Sequence, residues 1–493
     1  MEQNYYVQLY NSKITRGVFP FIYDNEKGKD LPQKIAFILL ILFLSAHVVD
    51  IIGSFLLPHL PLLLRVKLPF SFEHVLRLST NLMFAYLVWL ALGYALKYAI
   101  HTIPIKSVKL FIKKHFWQVS FGLLFIWIYI CALLSDNHRL AFDGTLYRKE
   151  GFYMIARYAV IFLCTYILKD TKRKAILLYL FISVAVLIVI IMLGQYFRWN
   201  FVWKHFASAS VTGVFANPNH AGYFLTMCTL CAAGLMLSSK KWYMSILFGI
   251  VYLVMLYTLI VNDTLGCYLA VLFALAMGVW LFAVGFNKKI YYSVIPLLMF
   301  VAISVLVSIN PNSTLGTNVI KENLDSLTRD IKKVFSTSES TQEREITISV
   351  LGSEVSGQSP LDDVGTYRFG LWRYGLKLLW ERPIFGYGPE QLDSHYQKSG
   401  LKEPTDRPHN EYLQVALFYG IPGLVFYMFG TLGLLVQMVK NLKDLPAFAV
   451  VALVCVVGYL ASAFFGNTMY YTMPYFILFL ALIAGGLCKN SVA

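Results

Sequence analysis

Apolar runs of about 20 residues recur along the whole chain, and this feature constrains its fold more than any other. Such a run can cross a bilayer as one helix, because a helix rises about 1.5 Å per residue through about 30 Å of hydrocarbon. The predicted helices begin near Lys34, Arg77, Trp117, Phe152, Ala175, Ala221, Trp242, Leu265, Ile290, Tyr412, Ala447 and Thr468. We therefore predict an all-α membrane protein with about 12 transmembrane helices.

Composition excludes an ordinary soluble domain. Apolar residues make up 58% of the chain and charged residues only 14%, whereas globular domains carry about a quarter charged residues. The net charge of +15 could indicate nucleic-acid binding. The basic residues, however, occur in short loops between the apolar runs, and no recognition motif accompanies them. We predict no nucleic-acid partner.

The same basic loops predict the orientation of the helices. With the N-terminus inside, every inward loop carries Lys or Arg, as in Lys169–Lys174 and Lys440–Leu445. The short outward loops Asn262–Thr264 and Gly466–Asn467 carry none. Lys and Arg are held on the cytoplasmic side of a membrane. We therefore expect a multi-pass membrane protein, with the lipid bilayer as a partner and both termini cytoplasmic.

This topology divides the chain into five segments. The two ends are a cytoplasmic N-terminal segment, 1–33, and a cytoplasmic tail, 489–493. Transmembrane helices 1–9 lie in 34–309, and helices 10–12 lie in 412–488. Residues 310–411 form a large, partly helical extracytoplasmic loop between helices 9 and 10, in which we place the catalytic residues. The basic stretch Ile105–Phe116 is expected to lie along the inner membrane surface.

The large loop is unusual for its length, and long loops in compact proteins usually have a function. Its middle, Ser336–Ser359, is rich in Ser, Thr, Glu and Gly and is expected to be mobile. The following stretch, Thr366–Glu381, has apolar residues at helical spacing and is predicted to form an amphipathic helix. The turn Pro383–Gly388 then ends that helix.

No cofactor or metal site is predicted from the motifs. The seven cysteines lie within or beside apolar runs, so a disulfide framework is not expected. Cys228 and Cys231 are interpreted as one side of a buried helix rather than a redox pair. There is no paired-His motif, CxxC…CxxC set or D-x-D pair for a metal, and no GxxxxGK[ST] loop for a nucleotide. An enzyme built on this chain would have to stabilise negative charge with arginines.

The loop contains suitable residues. Arg368 begins the amphipathic helix and Trp372 follows one turn later on the same face, while Arg373 points elsewhere. Arg407 and His409 stand just before the tenth span. An arginine suits a diphosphate because its planar fork donates two hydrogen bonds and stays charged. A histidine can accept a proton near neutral pH.

Further ionisable residues collect near the outer ends of the helices. His47 and Asp50 lie in the first helix, and Arg77 and Arg157 lie in the second and fourth. Such residues usually face a bundle interior or a wet cavity. They could equally pair with one another to hold helices together, or extend to the interface.

Three motifs together resemble the O-antigen ligase and polymerase superfamily. The first is the stretch GTYRFGLWRYGLKLLWERPIFGYGPEQL, with its Arg, a Trp four residues later and Pro-x-x-Gly-x-Gly. The second is HNEYLQVALFYGIPGL, and the third is GVFANPNHAGYF before the sixth helix. The order of the motifs and the position of the long loop also match, so the resemblance covers most of the chain.

The resemblance implies an inverting, metal-independent membrane glycosyltransferase without a cofactor. Such an enzyme transfers a glycan from an undecaprenyl-diphosphate-linked donor to a glycan or glycolipid acceptor on the outer face. By carry-over, Arg368 would bind the diphosphate and His409 would assist the attacking hydroxyl. The candidate substrate-binding residues are Arg373, Arg407, Arg157, Lys204, Trp372, Asn219, Asn410 and Asp263.

One position departs from the family pattern. The family has Ser/Thr-Arg-Gly at the turn that enters the eighth helix, and its Arg is a second phosphate ligand. Here Leu265 stands where that Arg is expected. The candidates for the missing cation are Arg157, Arg373, Arg407 and Lys204, and Asp263 could act as a carboxylate base near the acceptor.

Two choices stay open at this point. Ligase and polymerase share these motifs because they differ in the acceptor. A transporter or flippase of lipid-linked oligosaccharides is the alternative from another class, and it would predict internal repeats and broken helices at mid-membrane.

Overall fold

The structure is a computed structural model that describes residues 10, 12–23, 26–56, 71–100, 115–340, 361–401, 405–467 and 469–487. Within these residues it is all-helical and contains no strand. The predicted surface stretch 105–114, most of the predicted mobile segment 336–359 and the C-terminal tail lie outside the described residues.

Eight helical segments are long and apolar enough to cross a membrane among the described residues. In chain order the helices of the first half are α1 Lys13–Val18, α2 Glu26–Leu44, α3 Ala46–Leu56, α4 Phe72–Ile100, α5 Phe116–Leu133, α6 His138–Asp143, α7 Phe152–Ile167, α8 Thr171–Tyr196, α9 Asn200–Phe206 and α10 Pro218–Ser238. Those of the second half are α11 Trp242–Val261, α12 Leu265–Gly285, α13 Ile290–Ser293, α14 Ile295–Ile309, α15 Val319–Ser340, α16 Arg368–Glu381, α17 Asp393–Gln397, α18 Glu411–Lys440, α19 Ala447–Ala463 and α20 Met473–Leu487. The eight segments are α4, α5, α8, α10, α11, α12, α13 with α14, and α18.

The other predicted spans also fall on apolar helices. The pair α2 and α3 is bent by 40° and would make a ninth span if it crosses as one unit. Three more, α7, α19 and α20, are apolar but only 15 to 17 residues long. The all-helical class is thus confirmed in the described residues, while the count of twelve spans stays a prediction. Some boundaries differ: α4 begins at Phe72, five residues before Arg77, which therefore lies inside the helix.

The core is centred on α10. Almost all of this helix is buried, because it packs against α11, α12 and α19. Helix α19 in turn contacts α20, and α20 packs against α7. His47 lies in this core, in contact with the rings of Phe72 and Tyr475. Asp50 accepts a hydrogen bond from the Phe72 amide at 3.3 Å, so both residues join helices together.

The large loop is more helical than the sequence indicated. It contains α15, the predicted amphipathic helix α16 and the short α17. Residues of α16 and α17, among them Leu371, Leu378 and Tyr396, form a second apolar cluster with α5 and the first part of α18. This cluster fixes the C-terminal half of the loop on the end of the helix bundle.

A break in α18 explains the two glycine motifs. Gly420 has φ 70° and ψ 179° inside the helix, and Pro422 has no N–H to donate to the Phe418 carbonyl. The Gly388 amide donates to that carbonyl at 2.9 Å instead, and the Tyr387 amide donates to the Leu417 carbonyl at 2.8 Å. The Pro-x-x-Gly-x-Gly turn therefore binds in the break of α18, which positions the loop relative to the start of that helix.

Candidate active site

The candidate site lies where the loop returns to α18. Asn410 is the N-cap residue of this helix, and its side chain accepts from the Leu413 amide at 3.0 Å. This is a standard capping contact, which satisfies an amide that has no partner within the helix. His409, one residue earlier, has a positive φ of 51°. The cap and this turn set the direction of the His409 side chain.

A buried ion cluster supports the turn. The Arg407 side chain is 1% exposed, and its Nη2 donates to Glu390 Oε1 at 2.9 Å. Its Nε donates to Asp406 Oδ2 at 3.1 Å. The Thr145 hydroxyl donates to the other oxygen of Glu390 at 2.8 Å. Through its hydrogen bonds to Glu390 and Asp406, Arg407 therefore stabilises the turn that precedes α18.

Arg148, from the turn between α6 and α7, completes the cluster. Its Nε and Nη2 donate to the two oxygens of Asp406, each at 2.8 Å. Burial alone would raise the pKa of Asp406, but Arg407 and Arg148 lower it to about 2. The remaining nitrogen, Nη1, lies 3.4 Å from Nε2 of His220. Since Asp406 has two cations, it stays paired if Arg148 turns toward a ligand.

The charges of two arginines act on His409. Burial lowers its pKa, and the charges of Arg368 and Arg148 lower it further, to about 4. The imidazole is therefore neutral at neutral pH and can accept a proton. Asn467, in the turn before α20, places its side-chain Nδ2 3.0 Å from His409 Nδ1.

Arg368 and Trp372 each have a buried polar atom without a hydrogen-bond partner in the described residues. Arg368 Nη1 donates to the Gly365 carbonyl at 3.2 Å. Within the described residues, Nε of Arg368, Nε1 of Trp372 and Oδ1 of Asn467 are buried without a hydrogen-bond partner. Trp372 packs against Phe464, close to Asn467 in the chain. Unpaired buried polar groups in a native fold usually mark a site for water, an ion or a ligand.

The Asn-Pro-Asn segment, residues 217–219, lies next to the ion cluster, because His220 directly after it approaches Arg148. Asn217 caps α10 by accepting from the Asn219 amide at 2.8 Å, and His220 Nδ1 lies 2.6 Å from the Tyr471 hydroxyl. The side chain of Asn262 donates to the carbonyl of Pro218 at 3.2 Å. The segment is thereby joined to the turn that contains Leu265, the first residue of α12.

The other predicted substrate-binding residues lie away from this centre. Arg373 forms a two-bond ion pair with Asp362, at 2.9 and 2.6 Å. Arg157 donates to side chains of α4. Asp263 accepts from Asn323 of α15 at 3.0 Å. Lys204 is exposed on α9, and no ion pair or hydrogen bond of its side chain is seen in the described part of the chain.

Sequence reasoning missed several members of the site: Arg148, Glu390, Asp406, His220 and Asn467. The motif stretches contain Glu390 and His220, and Asp406 directly precedes Arg407. The sequence showed the types and positions of these residues, but it did not show that they come together in the folded chain. Arg148 and Asp406 are 258 positions apart, so their contact depends on how the helices pack.

Residues 250–428 match the family model described as O-antigen ligase. This part of the chain is similar to an O-antigen ligase domain. The match covers α16, the docked turn and the start of α18, and it confirms the resemblance to the superfamily. No match to an individual curated protein was found. Together with the apolar helices, this domain supports a multi-pass membrane protein of the surface polysaccharide ligase or polymerase class, with glycosyltransferase-like activity.

Proposed function

We propose that this O-antigen ligase-like protein transfers or polymerises glycan units on the outer face of the bacterial cytoplasmic membrane. The donor is a glycan on undecaprenyl diphosphate, and the acceptor is a hydroxyl of a glycan or glycolipid. The supporting observations are the O-antigen ligase match over residues 250–428 and, within it, the pair Arg368 and His409. Nε of Arg368 is buried without a partner in the described residues, and the charge of Arg368 lowers the pKa of His409. Such a site suits a reaction that takes up one proton and releases one anion.

The reaction is a single inverting displacement. The acceptor oxygen attacks the anomeric carbon and forms the new glycosidic bond while the bond from that carbon to the diphosphate oxygen breaks. The diphosphate leaves with the bonding electron pair, and His409 takes the hydroxyl proton. Fixed Arg donors stabilise the growing negative charge on the diphosphate. Holding the two reactants together supplies much of the remaining acceleration.

Two arginines bind the diphosphate in this proposal. Arg368 is one, because its Nε is buried without a partner at the start of α16. Arg148 is the second. It supplies the positive charge that the family's Arg would supply at the position of Leu265. Its Nη1 faces His220 rather than a carboxylate, and Arg407 can neutralise Asp406 when Arg148 moves. Arg407 itself is a positioning residue, since its Nε and Nη2 donate to Asp406 and Glu390, whereas Nη1 is buried without a partner in the described residues.

Asn467 orients His409. Amide nitrogen and oxygen are assigned from hydrogen bonding rather than observed. With its amide turned by 180°, Asn467 Oδ1 accepts from His409 Nδ1–H and gains a partner. Nε2 of His409 is then free to accept the proton of the acceptor hydroxyl.

The test is transfer by the purified protein in nanodiscs with an undecaprenyl-diphosphate oligosaccharide, with product glycan measured by gel or mass spectrometry. We expect His409→Ala to reduce turnover by about 10²–10⁴-fold and Arg368→Ala by about 10²–10³-fold. Lys377→Ala is the matched control, because Lys377 is exposed on the same helix as Arg368.

Wild-type turnover in both Arg368→Ala and His409→Ala would show that the catalytic assignment is wrong. Movement of the lipid-linked glycan across the membrane without formation of a glycosidic bond would favour a flippase.

A further inference from the structure

A cavity lies beside the candidate active site, between the outer ends of α4 and α7 and the turn that follows α6. Its volume is about 780 Å³, within the range of pockets that hold small-molecule ligands. Four cationic side chains line it: Arg77, Lys149, Arg157 and Arg139. Asp143 is the only acidic residue of the lining. The cavity is therefore strongly cationic.

Internal ion pairs neutralise only part of this charge. Glu73 pairs with both Arg77 and Lys149, and Arg139 pairs with Asp143 at 4.0 Å. Arg157 Nη1 donates to Thr80 Oγ1 and Asn81 Oδ1, both at 2.9 Å, and both are neutral groups. In the described part of the chain, no carboxylate lies within ion-pair distance of Arg157. An arginine in this position favours an anionic ligand.

The rest of the lining suits a sugar. The side-chain amides of Asn81 and Asn137 supply N–H donors for sugar hydroxyl groups, and Tyr153 supplies an aromatic face. The Asp143 carboxylate can accept hydrogen bonds from sugar hydroxyls. This mixture of cations and neutral polar groups favours an acidic glycan over a lipid phosphate.

The turn 144–150 connects the cavity to the ion cluster. Arg148 faces the cluster, and the next residue, Lys149, lines the cavity. Thr145 belongs to both, because it lines the cavity while its hydroxyl donates to Glu390. Only the turn 144–150 would thus separate a glycan bound in the cavity from the ion cluster that contains Arg148.

We propose that this cavity binds a sugar residue that carries a carboxylate or phosphate, with Arg157 as its main anion ligand. The proposal rests on the proposed function, because it assigns the cavity to the glycan on which the enzyme acts, away from the bond that forms. The glycan substrate is accordingly acidic, and Arg157 determines specificity for it.

The test is a binding assay without donor. The wild-type protein in phosphatidylcholine nanodiscs is titrated with short oligogalacturonates and, in parallel, with the same oligosaccharides after reduction of their carboxyl groups. We expect the acidic form to bind about tenfold or more tightly than the reduced form, since one charge-assisted contact is lost. Arg157→Gln should remove this preference, and Arg157→Lys should restore most of it.

Two further variants make the assay decisive. Arg139→Gln changes an exposed residue at the cavity rim, so it should weaken binding without affecting the fold. Lys398→Gln removes an exposed charge elsewhere in the large loop and should leave binding unchanged. Equal binding of the acidic and reduced oligosaccharides, or acidic binding that survives both Arg157→Gln and Arg139→Gln, would overturn the proposal.

Phosphate from other sources is tested in separate arms. Inorganic pyrophosphate is titrated alone, and retention of phosphatidylglycerol is measured by native mass spectrometry. If either depends on Arg157 while the oligogalacturonates do not bind, the cavity is a lipid-phosphate site and our proposal is wrong. Because no arm requires transfer, an inactive preparation that still binds the acidic sugar contradicts the proposed function and not this inference.

Discussion

Replacing Arg407 with glutamine should destabilise the protein rather than weaken substrate binding. The Arg407 side chain is 1% exposed and contacts Glu390 and Asp406. Asp406 keeps Arg148 in the variant, but Glu390, itself buried, keeps only the Thr145 hydroxyl among its described contacts. Its carboxylate is then left without a cation.

The magnitude follows from the cost of an uncompensated buried charge. Removing one partner of a buried ion pair costs about 3–5 kcal/mol. Unfolding entropy of about 2.1 cal/mol/K per residue gives roughly 1 kcal/mol/K for the 493 residues of this chain. We therefore expect Arg407→Gln to lower the Tm by about 3–5 °C.

The assay is thermal unfolding of the purified protein in one detergent, followed by tryptophan fluorescence. Asp136→Asn is the matched control, because it breaks the exposed Arg382–Asp136 pair, whose atoms are 3.1 Å apart. Exposed pairs contribute about 0–1 kcal/mol, so its Tm should stay within about 1 °C of the wild type. The double variant Arg407→Gln with Glu390→Gln should regain part of the lost stability, since no unpaired charge is buried.

The refuting result is equally specific. If Arg407→Gln unfolds at the temperature of the control while the KM for the donor rises, Arg407 contacts the substrate. The assignment of Arg407 as a positioning residue would then be wrong.

Three other predictions test the site and its support. Gly420→Ala should destabilise the protein by about 1–2 kcal/mol or more, because Gly420 has φ 70° and a Cβ would meet the Ile384 carbonyl; Gly122→Ala, which meets nothing, is its control. The acid limb of kcat/KM should lie near pH 4, because His409 accepts a proton only above its lowered pKa; activity is then lost as the pH falls through that value, and a limb near 6.5 would contradict the assignment. Arg148→Gln should raise the KM for the donor about tenfold or more while changing the Tm little, and an unchanged KM would exclude Arg148 as a phosphate ligand.

Most of the fold was accessible from hydropathy. Every predicted span coincides with an apolar helix, and the amphipathic helix Arg368–Glu381 lies within two residues of its predicted start. These features are local, since they depend on the length and periodicity of apolar residues within one segment. Helix Val319–Ser340 was not predicted. It contacts α11 and α14, and Ile320 packs against the core.

The glycine motifs show what cannot be predicted from a single segment of the sequence. The sequence indicated a bend at Pro383–Gly388, and it did so correctly. It could not show that the amides of this turn donate to carbonyls left free by the break at Gly420 and Pro422. That contact joins two segments, and only the folded chain brings them together.

The sequence by itself determined the helices, the position of the large loop and the residue types of the motifs around Arg368 and His409. Only the tertiary structure decided which charges meet. It placed Arg407 in a buried cluster, paired Arg148 with Asp406 and placed it next to His220, and left Arg157 in a separate cationic cavity. Helix formation is a property of each segment, whereas the pairing of charges depends on the packing of helices that are distant in the chain.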